Sequence, residues 1–333
     1  MTSHHVKLNF VTLRFRPQHG FRICIEQVSH HPPISAIHAE STTGLWRLNV
    51  AIHPKLSFWG KHISVTPKGQ VTVELYSRKE IYTWNHADVI IHNIIIGTIW
   101  IERVGTIKIV NHSNKHKVQL NFKKCGWFGT AGLHRVEGCL TNNEKKKLVS
   151  LYGKWNQVLY STDPQTYELH LANRQGEQAE EKNGKEEKWE EGDDEEKKPD
   201  EKCPEITRLP NSTELWLQER RLEKTEENYF FSHFTMLLNE QLSPERMRTL
   251  PPTDCRFRPD MRYMEMGDLD GATAAKSALE EKQRETTYRM KKSGEHWKPR
   301  WFKECTHPQT GNSDWIYVGG YWDRNFTRCP DIF

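Results

Sequence analysis

Residues 26–33 read Glu-Gln-Val-Ser-His-His-Pro-Pro, and the adjacent imidazoles of His30 and His31 are the sharpest chemical feature of the chain. Two prolines end sheet pairing and force an extended exit, which holds both rings at the rim of a strand. Imidazoles with backbone donors nearby can bind phosphate, and a phosphate partner favours the protonated ring. The same histidines could act as general base toward Ser29 or Cys24, but no orienting carboxylate for that role can be picked from the sequence. The bland alternative is a turn without chemistry. A second candidate is a matter of spacing, because Lys276, Glu280 and Arg284 follow one another at four-residue intervals. At 3.6 residues per turn they share one face of a helix, where two cations could clamp a phosphate with Glu280 holding them in place. Arg284 can bind bidentately, whereas Lys276 offers a point charge. The competing account is a row of ion pairs on a solvated helix, worth ~0.3–0.5 kcal/mol each.

Other chemistry is thin. The chain carries no G-x-G-x-x-G, no G-x-x-x-x-G-K-[ST], no G-x-S-x-G, no H-E-x-x-H and no C-x-x-C. His112 and His116 have a metal-ligand spacing, but residues 111–116 read as a hairpin turn, so a structural role is expected there and equally at His4 and His5. The expectation is a protein that is not an enzyme and needs no cofactor and no metal.

The elements that must position these residues change character along the chain. From about residue 6 to 172 the pattern is period two, as in FRICIEQV, and it recurs at GQVTVELYS, VIIHNIIIGTIWIE, GTIKIVNH, HKVQLNF, HRVEGCL and KKLVSLYGKW. Many antiparallel strands in succession predict a large meander, a barrel or a curved sheet whose lumen can hold a ligand. Residues 174–204 are an acidic insert with one aromatic, expected to be a flexible tether. After it the pattern turns helical: Asn211-Ser212-Thr213-Glu214 predicts a helix start, and residues 267–292 predict a long charged helix. The Trp-rich closing segments, WKPRWF and YVGGYWDRNF, are expected to pack a loop-rich tail onto the body.

Composition sets the partner class. The 333 residues are 35% hydrophobic and 28% charged, yet contain 12 Trp, 13 Phe and 10 Tyr, and mean hydropathy is -0.81. A folded body and a polar segment must therefore coexist. The net charge of +4 conceals a partition: residues 176–202 hold 13 acidic and 6 basic side chains, leaving 42 basic against 31 acidic, or +11, elsewhere. A basic body points to anionic partners, nucleic acid or a membrane surface. The longest apolar run, residues 89–101, is broken by His92, Asn93 and Gly97, so no membrane span is expected. Without a secretory signal, and with seven cysteines in no paired motif, the cytoplasm is the expected compartment, with peripheral membrane association.

EQVSHHPP resembles the fingerprint of the oxysterol-binding protein family of lipid-transfer proteins. KLSFWGK (55–61), HNIIIGTIWIERVGT (92–106), YGKW (152–155), KSALEEKQR (276–284), WKPRWF and the terminal CPDIF resemble the same domain. The similarity runs from about residue 20 to 333 and is strongest toward the subgroup of related proteins one and two. It implies a mainly β fold, a large incomplete antiparallel β-barrel around an apolar tunnel with a C-terminal helical and irregular subdomain, as a single domain over 1–333. It implies sterol, phosphoinositide and anionic membranes as partners, and exchange of the two lipids through the tunnel. Carried over by position, His30, His31, Lys55, Lys276, Glu280 and Arg284 would bind the phosphoinositide headgroup. Residues 1–17 match neither the family's lid nor its early strands, so a lid-less domain is expected, and a lid-less membrane scaffold that moves no lipid is the alternative function. Nucleic acid is not expected as a partner, since no recognised RNA-binding motif is present.

Overall fold

Short alternating runs of apolar and polar residues make strands because successive side chains point to opposite faces of the backbone. The computed structural model describes residues 13–14, 20–125, 133–183, 205–219, 231–232, 235–236, 242–327 and 329. Its first strands are β1 (Leu13–Arg14), β2 (Phe21–Ser29), β3 (Ile34–Ser41), β4 (Trp46–Phe58), β5 (His62–Lys68), β6 (Gln70–Leu75) and β7 (Glu80–Asn85). There follow β8 (Asp88–His92), β9 (Trp100–Asn111), β10 (Lys117–Phe122), β11 (Arg135–Thr141), β12 (Lys147–Lys154) and β13 (Val158–Thr162). The remainder comprises α1 (Pro164–Asn183), β14 (Thr213–Leu217), α2 (Pro244–Met247), α3 (Pro259–Glu265), α4 (Leu269–Ser293), β15 (Phe302–Thr306) and β16 (Ser313–Tyr317).

Among the described residues fourteen strands belong to one large antiparallel sheet, and β15 and β16 form a separate hairpin. Among the described residues the strand path is open: β1 and β14 are its two ends. The fold is thus mainly β, as the alternation predicts. The chain divides into two compact units, residues 1–54, 68–81 and 221–333 in one and residues 55–67 and 82–220 in the other.

In the first unit β2 pairs with β3, β3 with the first half of β4, and that half with β6. Cys24, Val28 and Ala36 are buried against Trp301, Phe302 and Tyr321, so the Trp-rich closing segments do pack onto the sheet. Trp301 and Tyr321 meet edge to face at 5.2 Å. Asp254, wholly buried, accepts two bonds of 2.7 Å from the Arg256 guanidinium and anchors the loop before α3. Asp268 caps α4 by accepting from the Gly271 amide, and Gly294 ends it in the left-handed conformation at φ 72°.

In the second unit β9 pairs with β8 at its start and with β7 at its end, and a meander runs β9-β10-β11-β12-β13-β14. Asn111 to His116 is the expected hairpin turn, with His112 Nε2 bonded to Thr83 Oγ1 at 2.7 Å.

Four sequence expectations need correction. The helix expected to start at residues 211–214 is instead strand β14, paired with β13. The Ser212 hydroxyl, which would have capped that helix, bonds the Tyr152 hydroxyl at 2.7 Å, so a tertiary partner outcompetes a local signal worth about 1 kcal/mol. The acidic insert is not loop from its outset, because α1 extends to Asn183; residues 184–204 lie outside the described set. The run at residues 89–101 is not one strand: β8 ends at His92, β9 begins at Trp100, and a loop lies between them. The C-terminal part, expected as helical and irregular, also contains β14, β15 and β16. His4 and His5 lie outside the described residues, and of the first seventeen residues only Leu13–Arg14 is described. Among the described residues no helix is long and apolar enough to cross a membrane.

Candidate functional site

The β2–β3 hairpin places the two histidines. Its register runs to Ser29 opposite Ile34, which leaves residues 30–33 as a four-residue connection. The register shifts between Gln27 and Ser29, and this bulge breaks strict alternation so that Glu26, Gln27 and Val28 are all buried in succession. His30 and His31 sit immediately beyond it, their ring centroids 4.3 Å apart and tilted by 56°. His31 is exposed and His30 half-buried.

A cavity of about 660 Å³ opens beside this hairpin, entirely within the first unit. One wall is Val28, Ser29, His30 and His31; the other is the C-terminal half of α4 and the segment that follows it. Among the described residues Lys282, Arg289 and Lys291 face it with a single acid, Glu295, so its lining carries a formal +2 before His30, His31 or His296 takes a proton. Met290, Trp297 and Val28 add hydrocarbon. Cations, imidazole donors and apolar surface on opposing walls make a site for an amphiphilic anion.

The expected clamp is placed differently from the cavity wall. Lys276, Glu280 and Arg284 do share a row of α4, but the row that lines the cavity is the neighbouring one, about a quarter-turn around the helix. Arg284 is engaged on its own helix, with Glu281 at 2.6 Å and Glu280 at 4.0 Å. Lys55 belongs to the second unit, on the exposed end of β4.

Glu26 is the residue that sequence reasoning missed. It is fully buried and accepts from the amides of Arg300 and Trp301 at 2.7 and 2.8 Å, which ties the exit of α4 to β2 and so sets the two cavity walls against each other. Burial, the largest effect, pushes its carboxyl up to about 7, against the lowering by the backbone amides and Arg300. The signal was available: Cys24, Glu26 and Val28 share the inward face of β2, and an acid among apolar neighbours needs a partner. Cys24 is a poor nucleophile here, since burial first and Glu26 second hold its thiol well above its ordinary range. Among the described residues no group of three or more His, Cys, Asp or Glu could hold a metal ion.

Comparison with known proteins extends this picture. The sequence model described as oxysterol-binding protein matches residues 10–326. The chain is 45% identical over 314 residues to the rat protein called oxysterol-binding protein-related protein 1, which covers 94% of this chain and 33% of that protein. It is 42% identical over 326 residues to mouse oxysterol-binding protein-related protein 2, covering 94% of this chain and 66% of that one. The chain thus spans about a third of the first relative and about two thirds of the second. Among solved structures, the Osh1 ORD domain in complex with ergosterol superposes with a TM-score of 0.75 at 26% identity, covering 98% of this chain and 71% of that chain. The Osh3 ORD in complex with PI(4)P from Saccharomyces cerevisiae gives 0.70 at 25% identity, covering 98% and 73%.

Proposed function

The chain belongs to the oxysterol-binding protein family, and on that premise we propose that it binds a sterol and a phosphoinositide by turns and exchanges them between membranes without catalysing a reaction. The observation that carries the reading is the cationic cavity between the His30–His31 hairpin and α4. The relatives solved with ergosterol and with PI(4)P support both ligand classes. In this reading the headgroup phosphate takes donors from His30, His31 and the cations of α4. Lys282, Arg289 and Lys291 stand nearest by geometry, and Lys276 and Arg284 reach it by rotating off their own helix. Glu280 then holds the Lys276–Arg284 row in place, and Lys55 contributes as the family resemblance implies. The basic body draws the domain to anionic leaflets, at about 1 kcal/mol per surface cation, and the protein works from the cytoplasm as a peripheral membrane visitor.

Exchange between liposomes tests it, with fluorescent sterol in the donor and a monophosphorylated phosphoinositide in the acceptor. Sterol transfer accelerated by the phosphoinositide, and lost in the His30→Ala/His31→Ala variant, is the expected result. Membrane binding without extraction of either lipid would overturn exchange in favour of a scaffold. Extraction undiminished by the double substitution would remove the headgroup assignment.

A further inference from the structure

Two turns at one end of the second unit bring five exposed large apolar side chains together. Phe58 and Trp59 on the β4–β5 turn, and Ile95, Ile96 and Ile99 on the β8–β9 loop, are each 61–71% exposed. They form one tip because His62 of β5 pairs with His92 of β8, and His92 with Trp100 of β9. The Ile94 amide donates to the Lys61 carbonyl at 3.4 Å, joining the two turns directly. The tip is built rather than frayed: the Asn93 side chain donates to the Thr98 carbonyl at 3.1 Å, and Gly97 adopts φ 90°, which a residue with a side chain rarely takes. Below it, His92 stacks on Trp100 at 3.9 Å and bonds the buried carboxylate of Glu102, which also accepts from the Cys125 amide.

Charge identifies what covers this surface. From Asn93 to Ile101 there is no charged residue, and from Lys55 to His62 the fixed charges are Lys55 and Lys61, both exposed and both positive. The adjoining acid, Glu102, is 1% exposed and turned into the sheet, so among the described residues no negative charge faces outward at the tip. An apolar crest flanked by cations, with an indole at its shoulder, matches the boundary between headgroups and acyl chains of an anionic leaflet. We propose that the β4–β5 turn and the β8–β9 loop together are a bilayer-insertion tip, placing Trp59 at headgroup level and Ile95, Ile96 and Ile99 among the first methylenes. The tip acts on any anionic leaflet, whether or not that leaflet contains a lipid the cavity binds.

The test uses the full chain and vesicles of phosphatidylcholine with or without phosphatidylserine, free of phosphoinositide and sterol, so that its failure leaves the cavity reading untouched. Binding of a soluble short-chain phosphoinositide, measured separately, reports on the cavity alone. Expected results are co-flotation that requires phosphatidylserine, weakening of about tenfold or more in Ile95→Ser/Ile96→Ser, and several-fold weakening in Lys61→Glu that shrinks at high salt. Lipids brominated near the headgroup should quench a fluorescence component that Trp59→Phe lacks. Should the serine variant unfold, Ile99→Trp decides the matter: with thermal unfolding matching the parent's it should bind the vesicles more tightly, and a folded Ile99→Trp that binds no more tightly would overturn the proposal. Undiminished flotation of a folded serine variant, or no difference in quenching between the chain and Trp59→Phe, would overturn the proposal. A parent chain that sediments as a dimer while the serine variant is monomeric would also overturn it, assigning the tip to a second copy.

Discussion

The β2–β3 hairpin and the β8–β9 loop are both short connections between antiparallel strands, and each is backed by a buried glutamate on the strand beside it, Glu26 and Glu102. Each carboxylate accepts a backbone amide from a distant segment and so fixes its loop from behind. What the two loops present is opposite. The first offers imidazole donors to a cavity faced by cations, whereas the second offers isoleucines to solvent. A buried acid is therefore a positioning device in both places, and the chemistry resides in the residues that the device holds outward.

The largest effect should come from removing the ring core behind the first hairpin. Trp301→Ala, at a 4% exposed position packed on Tyr321, is expected to cost about 3–5 kcal/mol in urea unfolding, since the cavity left there cannot collapse around a fixed sheet. A loss under 1 kcal/mol would show that the hairpin is not held by this core.

Next is the pH dependence of Glu26. Its carboxyl is raised to about 7, above the ordinary value of 4.5, so the folded state binds the proton more tightly than the unfolded chain. Its contribution to stability is full below about pH 4.5 and is lost as pH rises through 7, by at most about 3 kcal/mol. Glu26→Gln should flatten that part of the profile, and parallel profiles for the two proteins would refute the assignment.

A smaller effect separates the two rows of α4. His30→Ala/His31→Ala and Lys282→Ala/Arg289→Ala should each weaken soluble short-chain phosphoinositide binding by more than about tenfold in calorimetry, because charge-assisted bonds are worth ~1.5–3 kcal/mol, with thermal stability little changed. Lys276→Ala/Arg284→Ala should do less. The reverse ranking would mean that the salt-bridged row swings to the ligand.

The smallest expected effect completes the contrast: Ile96→Ser, exposed on the second loop, should change stability by less than about 0.5 kcal/mol. A cost above 1 kcal/mol would show that the loop is packed in solution and is not a free tip.

Much of the fold was legible where signal and structure lie within a few residues of each other. The alternation in FRICIEQV became β2, and the helix expected over residues 267–292 became α4, bounded by Asp268 and Gly294. The site was legible in part. The His-His-Pro-Pro run announced a rim carrying two imidazoles, but the four-residue spacing of Lys276, Glu280 and Arg284 could not say which side of α4 would face it. A charged helix with no buried residue carries no apolar stripe to fix its rotation.

By itself, then, the sequence determined the strand-rich class, the strand rim that carries His30 and His31, the span of α4 and the basic character of the body. Periodicity, caps and charge act locally or simply add along a chain. Only the tertiary structure decided that residues 213–217 pair with β13, that Glu26 binds the amides of residues 300 and 301, that Lys282 and Arg289 line the cavity, and that Ile95, Ile96 and Ile99 stay in solvent. Those outcomes depend on partners far away in sequence. The contact that forms is the one that satisfies a buried polar group or covers the most hydrocarbon, whatever the local propensity of the segment.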